Sequence, residues 1–205
     1  NVYEGLFKLT DDGEVEKLLA QDHKVSGDGL TYTFTLRDNV TFHSGKKLTS
    51  QDVEYSLKKV IAKDSQSARK SNLDVIESIA TPDARTVKVR LSKKSISFVY
   101  NLSYVWIINS EAENLKTSED GTGPYQLKKW TRGSALSLDR FPGYWGDAAA
   151  NKQVVFRYFK DATALNNALL TNAVDIVTSG QSPDALDQFE NNPNYKVNDG
   201  DSTTK

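Results

Sequence analysis

The sequence predicts an α/β fold of the mixed α+β kind, and three observations carry that prediction. Leu30–Leu36 and Thr86–Leu91 alternate apolar and polar residues without a break, the period of a strand with one face on a core and one in water. After Thr49 the period becomes helical, with Val53, Leu57, Val60 and Ile61 at i, i+4, i+7 and i+8. The second half reads as strand, helix, strand, helix, strand, the order of an α/β layer.

Each element has its own local cause. Ser26-Gly27-Asp28-Gly29 supplies glycines for positive φ ahead of the Leu30–Leu36 strand, and Arg37-Asp38-Asn39 turns toward Val40-Thr41-Phe42, the expected next strand of a meander. His43–Lys47 is a loop. The Thr49 hydroxyl is placed to cap the amide three residues on, and Asp52 suits the positive end of the helix dipole. Leu73, Ile76 and Ile79 suggest a second short apolar stripe before Pro82-Asp83-Ala84 turns the chain into Thr86–Leu91. Ile96–Ile108 is too densely apolar for a one-sided strand and is expected to be buried on two sides. Glu111–Asp120 is polar and marks a boundary. A hairpin of Tyr125–Trp130 and Ala135–Phe141 follows, then a strand at Val154–Phe159, a helix at Ala162–Leu170, a short buried strand at Val174–Val177, and a helix start at Ser182-Pro183-Asp184. Phe34, Phe42, Phe98 and Phe156 are core residues by pattern.

Composition removes several functions. There are 26 Lys+Arg against 27 Asp+Glu, a net charge of −1, so the basic excess of a nucleic-acid binder is missing. No run of the ~18 apolar residues of a membrane span occurs, with Ser97–Ser110 the nearest approach. Without cysteine the chain has no thiolate nucleophile, disulfide or thiolate metal site. Methionine is absent and the chain starts at Asn1, so it reads as a processed or excised piece. His23 and His43 lack a third ligand at metal spacing and read as surface or turn residues. Neither a G-x-S-x-G elbow, a phosphate-binding loop nor a dinucleotide fingerprint occurs, and no pair of residues stands out for catalysis. On pattern alone Tyr104 and Trp106 read as core ahead of ligand contact.

Several blocks form an ordered series: Val2-Tyr3-Glu4-Gly5-Leu6, Asp28–Arg37, Val40–Gly45, Leu48–Leu57, Gly121-Thr122-Gly123-Pro124-Tyr125-Gln126-Leu127, Arg140–Trp145 and Ala168–Ile176. Together they resemble the family 5 extracytoplasmic solute-binding proteins, receptors of oligopeptide, dipeptide and nickel ABC importers. The blocks are scaffold motifs that speak to fold far more than to ligand. The resemblance implies a periplasmic-binding-protein-like class II lobe, with residues 5–109 as an inserted mixed α/β subdomain and residues 1–4 and 110–205 as partial core of the N-terminal lobe. Family members are more than twice as long, so the resemblance implies a chain truncated before its second lobe. Where they usually carry glycine, this chain has Asn172-Ala173, and asparagine tolerates the left-handed conformation.

The same resemblance implies a non-enzymatic role without a cofactor: two hinged lobes close on a small peptide or other solute and present it to the membrane subunits of a permease, outside the cytoplasmic membrane, as a periplasmic or lipid-anchored protein. The missing C-terminal lobe is then a partner. It places Arg69, Tyr104, Trp106, Ser179, Gly180 and Gln181 toward the cleft. Against these roles stand a solvated loop for Arg69 and a helix-cap region for Gln181. A ligand-sensing domain of a transcription regulator and a nickel-chelate receptor are the alternatives.

Overall fold

A computed structural model of the chain describes residues 1–113, 118–178, 187–190 and 192–197. The chain divides into two compact units, residues 1–127 with 138–153, and residues 128–137 with 154–205.

The first unit begins with the short antiparallel pair β1 (Phe7–Leu9) and β2 (Val15–Lys17). β3 (Ala20–Val25) and β4 (Thr31–Leu36) follow, then helices α1 (Ser50–Ile61) and α2 (Lys70–Leu73), strands β5 (Ile76–Asp83) and β6 (Thr86–Leu91), and helix α3 (Phe98–Leu102). The sheet order is β3-β4-β6-β5, antiparallel throughout. Phe34 opposes Val87 and Tyr32 opposes Val89, so both predicted alternations bury the same face. Onto it pack Phe7, Phe98, Leu57 and Leu73, all inaccessible to solvent or nearly so. Each such side chain contributes about 1.5–3 kcal/mol relative to exposure. The outer strand β3 carries Asp22 and Lys24 on exposed positions, which discourages edge-to-edge pairing.

Several local expectations change. Val40-Thr41-Phe42 contributes only an isolated bridge between Thr41 and Lys47, closed over Gly45 at φ 88°, because β4 takes its second partner from the distant β6. Ile76 and Ile79 lie in a strand: a register shift after Ile76 puts three-residue spacing on one face and imitates a helix. Ile96–Ile108 is not a doubly buried strand. It holds α3 and an extended stretch, Ile96 is fully exposed, and the helix gives the apolar residues one stripe, Phe98 and Leu102.

β7 (Tyr125–Thr131), β8 (Ala135–Arg140) and β9 (Gln153–Arg157) form a three-stranded sheet in that order. In the second unit follow α4 (Ala162–Leu170), capped by the Asp161 carboxylate on the Ala164 amide at 2.8 Å, and α5 (Asp187–Glu190). Asn172 sits at φ 55°, the left-handed conformation expected of it. Phe156 is exposed rather than core, as are Val155, Tyr158, Leu170 and Ile176. Val174–Val177 forms no strand, since no neighbouring strand pairs with it among the described residues, and Ile176 is 77% exposed. The Ser182-Pro183-Asp184 helix start lies outside the described residues. No helix among the described residues is long and apolar enough to cross a membrane.

Candidate functional site

Arg69 and Tyr104, 35 positions apart in the numbering, meet in the first unit: the Arg69 guanidinium carbon lies 3.7 Å from the Tyr104 ring centroid. The loop after α1 sets the position of Arg69 through two serine turns, with Ser65 Oγ accepting from the Ser67 amide and Ser67 Oγ accepting from the Arg69 amide, both at 3.2 Å. Leu73, fully buried one turn later, fixes α2 to the core. On the other side Tyr100 and Tyr104, four residues apart across the end of α3, share a hydrogen bond between hydroxyls at 3.0 Å and pack edge to face. That hydrogen bond raises the Tyr104 phenol above its ordinary pKa. Tyr100 was not singled out in the sequence, although its i, i+4 spacing from Tyr104 was the available signal.

Trp106 follows by alternation. Val105 and Ile107 are buried, the Ile107 amide donating to the Glu4 carbonyl at 2.9 Å, and Trp106 between them is 57% exposed. Its exposure overturns the pattern-based reading of Trp106 as core, while Tyr104, in the turn before it, is half-buried. Ser179, Gly180 and Gln181 lie outside the described residues.

The rest of the buried polar chemistry in this unit is internal. His43, read as a surface residue, has a side chain only 5% exposed. Its Nδ1 meets Glu119 Oε2 at 2.8 Å and its Nε2 the Gly123 carbonyl at 2.9 Å. Burial alone would lower its pKa, but these hydrogen bonds outweigh burial and the net shift is upward. Glu4 accepts from Thr122 Oγ1, Tyr144 Oη and Trp145 Nε1 at 2.8–2.9 Å. Burial and the bond to Glu4 push the Tyr144 phenol far up. Asp52, fully buried, accepts from Lys46, Ser110 and Thr49; burial raises its pKa, and these donors more than reverse it. An open polar depression of about 470 Å³ is lined in part by Ser44, Asn109 and Glu119. Its buried carboxylates are already bonded, Asp120 to Ser44 and Asn109, and Glu119 to His43 and Leu127. The Arg69–Tyr104 pair is different, because the half-buried guanidinium rests on a ring and makes no side-chain hydrogen bond or ion pair among the described residues.

The site thus brings together a stacked Arg69–Tyr104 pair, its Tyr100 support and an exposed Trp106 on a mixed α/β scaffold. The comparisons are specific: residues 14–205 match the bacterial extracellular solute-binding proteins, family 5 (middle), and the chain belongs to that family. It is 33% identical over 150 residues to the glutathione-binding protein GsiB of Salmonella typhi, covering 70% of this chain and 29% of that protein. To the nickel-binding protein NikA of Staphylococcus aureus it is 27% identical over 195 residues, 95% of this chain and 39% of that protein. The solved structure of the periplasmic binding protein DppA from Helicobacter pylori, in complex with peptide STSA, superposes with a TM-score of 0.84 at 26% identity, over 95% of this chain and 44% of that one. The chain thus spans less than half the length of each. Family 5 proteins deliver small solutes to ABC permeases.

Proposed function

We propose that this chain is part of the solute-capturing receptor of an ABC importer, that its cargo is peptide, and that it works outside the cytoplasmic membrane without turning its cargo over. The observation that carries the reading is the half-buried, stacked Arg69–Tyr104 pair with exposed Trp106 two residues on, set on a family 5 scaffold. A ligand wall of this composition offers flat apolar area at low entropy cost and one fixed charge for orientation. Peptide is favoured over a metal held by this chain's own imidazoles, since both His43 nitrogens are occupied and His23 Nδ1 is buried. Ser179, Gly180 and Gln181 form a second candidate group, in the second unit.

The exposed Val155, Phe156, Tyr158 and Ile176 support a further part of the protein, the second lobe among it, as a partner of the second unit. In this reading residues 5–109 form the inserted subdomain, with residues 1–4 and 110–205 belonging to the lobe core. Closure on cargo is driven only by the ligand's preference for the closed state. Mass spectrometry of ligands co-purified with the full-length protein tests the proposal, with tryptophan fluorescence titration of the recovered species. Peptides are expected, with affinity weakened at least tenfold by Trp106→Ala or Gln181→Ala. Recovery of a non-peptide solute alone would reject the peptide assignment, and unchanged affinity in both variants would remove these residues from the wall.

A further inference from the structure

We propose that the end of the four-stranded sheet where β3 stops and β6 leaves is a contact surface for anionic phospholipid, with Ile96 entering the headgroup layer; this rests on reading the chain as working outside the cytoplasmic membrane. Two loops meet at that end. The Leu91 amide donates to the Leu30 carbonyl at 2.8 Å and Tyr32 Oη to the Ser95 carbonyl at 3.3 Å, while the Lys94 stem lies 3.4–3.6 Å from where a Cβ on Gly29 would stand. The β3–β4 turn at 26–29 and the β6–α3 loop at 92–97 therefore form one rim. Ile96, at 106% exposure, protrudes from it, and Val25 at the end of β3 is 47% exposed.

Lysines surround these two aliphatic side chains. Lys93 and Lys94 precede Ile96, Lys24 precedes Val25, and Lys88 shares a cross-strand row with Lys24 through Thr33 of β4. All four are exposed, and among the described residues none makes an ion pair or a side-chain hydrogen bond. The nearby carboxylates are fewer. Glu77 is paired with Arg90 at 3.0 Å, Asp28 is held by Ser26 Oγ and the Leu30 amide, and Asp74 adjoins Val75, whose carbonyl accepts from the Ser92 amide. Farther along β3, Asp22 is neutralised by Lys17 at 2.9 Å. The rim is thus a local cationic excess on a chain whose net charge is −1. Its chemistry favours a lipid surface over an acidic protein. Lysine is a flexible point charge that suits a fluid array of headgroups, whereas a fixed planar acceptor suits arginine. A lone protruding aliphatic group offers a protein partner little area, yet it can enter the headgroup–acyl boundary while the lysine stems keep their ammonium groups at the phosphates.

The test is co-sedimentation of the full-length protein, carrying no lipid group, with vesicles of equimolar phosphatidylglycerol and phosphatidylcholine, against vesicles of phosphatidylcholine alone. Binding is expected only to the mixed vesicles, weakening at least tenfold between about 0.05 and 0.5 M salt. Each lysine near such a surface strengthens binding about fivefold, so the double variant Lys93→Gln with Lys94→Gln should bind about 20- to 30-fold more weakly. Ile96→Ser should weaken binding about three- to tenfold, and Ile96→Trp should retain it with a blue-shifted emission on vesicle addition. No binding to the mixed vesicles, or binding indifferent to the lysine or to the Ile96 substitutions, overturns the proposal. If the variants instead lose association with the detergent-solubilised permease while vesicle binding is unchanged, the rim belongs to a protein partner and the proposal fails. Cell fractionation reads the location separately: a cytoplasmic protein that still binds vesicles through Ile96 and the lysines would reject the location and uphold the lipid contact.

Discussion

The clasp around His43 makes a prediction that can be followed quantitatively. Its two ring nitrogens face two acceptors, Glu119 Oε2 at 2.8 Å and the Gly123 carbonyl at 2.9 Å, and only the imidazolium can donate to both. A neutral ring must present a lone pair to one of them. The native pKa is therefore raised, and Glu119 and Asp120 supply the surrounding negative charge. The sign follows from linkage. Stabilisation by the charged ring is fully present below the unfolded pKa of about 6.5 and is lost as pH rises through the higher native value. Within that window stability falls by at most about 1.4 kcal/mol per pH unit. The perturbation is His43→Gln, which retains one donor and loses the charge; a hydrogen bond to a charged group is worth about 1.5–3 kcal/mol. Urea unfolding at pH 6 should show a destabilisation of that size, shrinking toward zero by pH 9. Proton NMR titration of the imidazole C2–H reads the native pKa directly, with His23→Gln resolving the assignment. A destabilisation constant from pH 6 to 9, or a His43 pKa below 6.5, would refute the reasoning.

Asp52→Ala is expected to cost about 3–5 kcal/mol, because it leaves the Lys46 ammonium and the Ser110 amide facing a buried position without their acceptor. The lowered Asp52 pKa gives the opposite pH sign: its stabilisation is present above about pH 3.9 and is lost as acid carries the pH down through the native value, so the variant and wild type should converge in acid. Denaturant midpoints between pH 2 and 7 measure both effects. At Asn172, φ 55° predicts that glycine is tolerated or stabilising by a few tenths of a kcal/mol and that valine costs about 1–2 kcal/mol, read by thermal melting.

Much of the first unit was legible in its sequence because its strongest signals are local. Leu30–Leu36 and Thr86–Leu91 carry their own period, and Thr49 with Asp52 forms the capping pair that starts α1, the Thr49 amide donating to Asp52 at 2.9 Å. What escaped depends on remote partners. β1 to β3 have little periodicity of their own and are strands because of what they pair with. Ile76 and Ile79 looked helical because a bulge changes the strand period. His43 looked like a loop residue because its acceptors are 76 and 80 positions away. Phe156 and Ile176 carry a core-like pattern yet face solvent, consistent with the proposed neighbour. At the candidate site, Arg69, Tyr104 and Trp106 were named through family resemblance. The stacking of the first two and the support from Tyr100 came only from structure, since nothing in Ser67–Tyr104 encodes that the loop after α1 returns to the end of α3.

The knot around Glu4 also bears on how the polypeptide is made. Its three donors stand 118, 140 and 141 residues downstream, and the strand-like segment from Asn1 to Gly5 is held by amides of Ile107, Gly123 and Tyr125. A ribosome releases this leading segment long before Trp145 exists, so docking it is a late step with a high loop-closure cost. Until then Glu4 lacks the three donors that bury it, and the first unit stays unlatched.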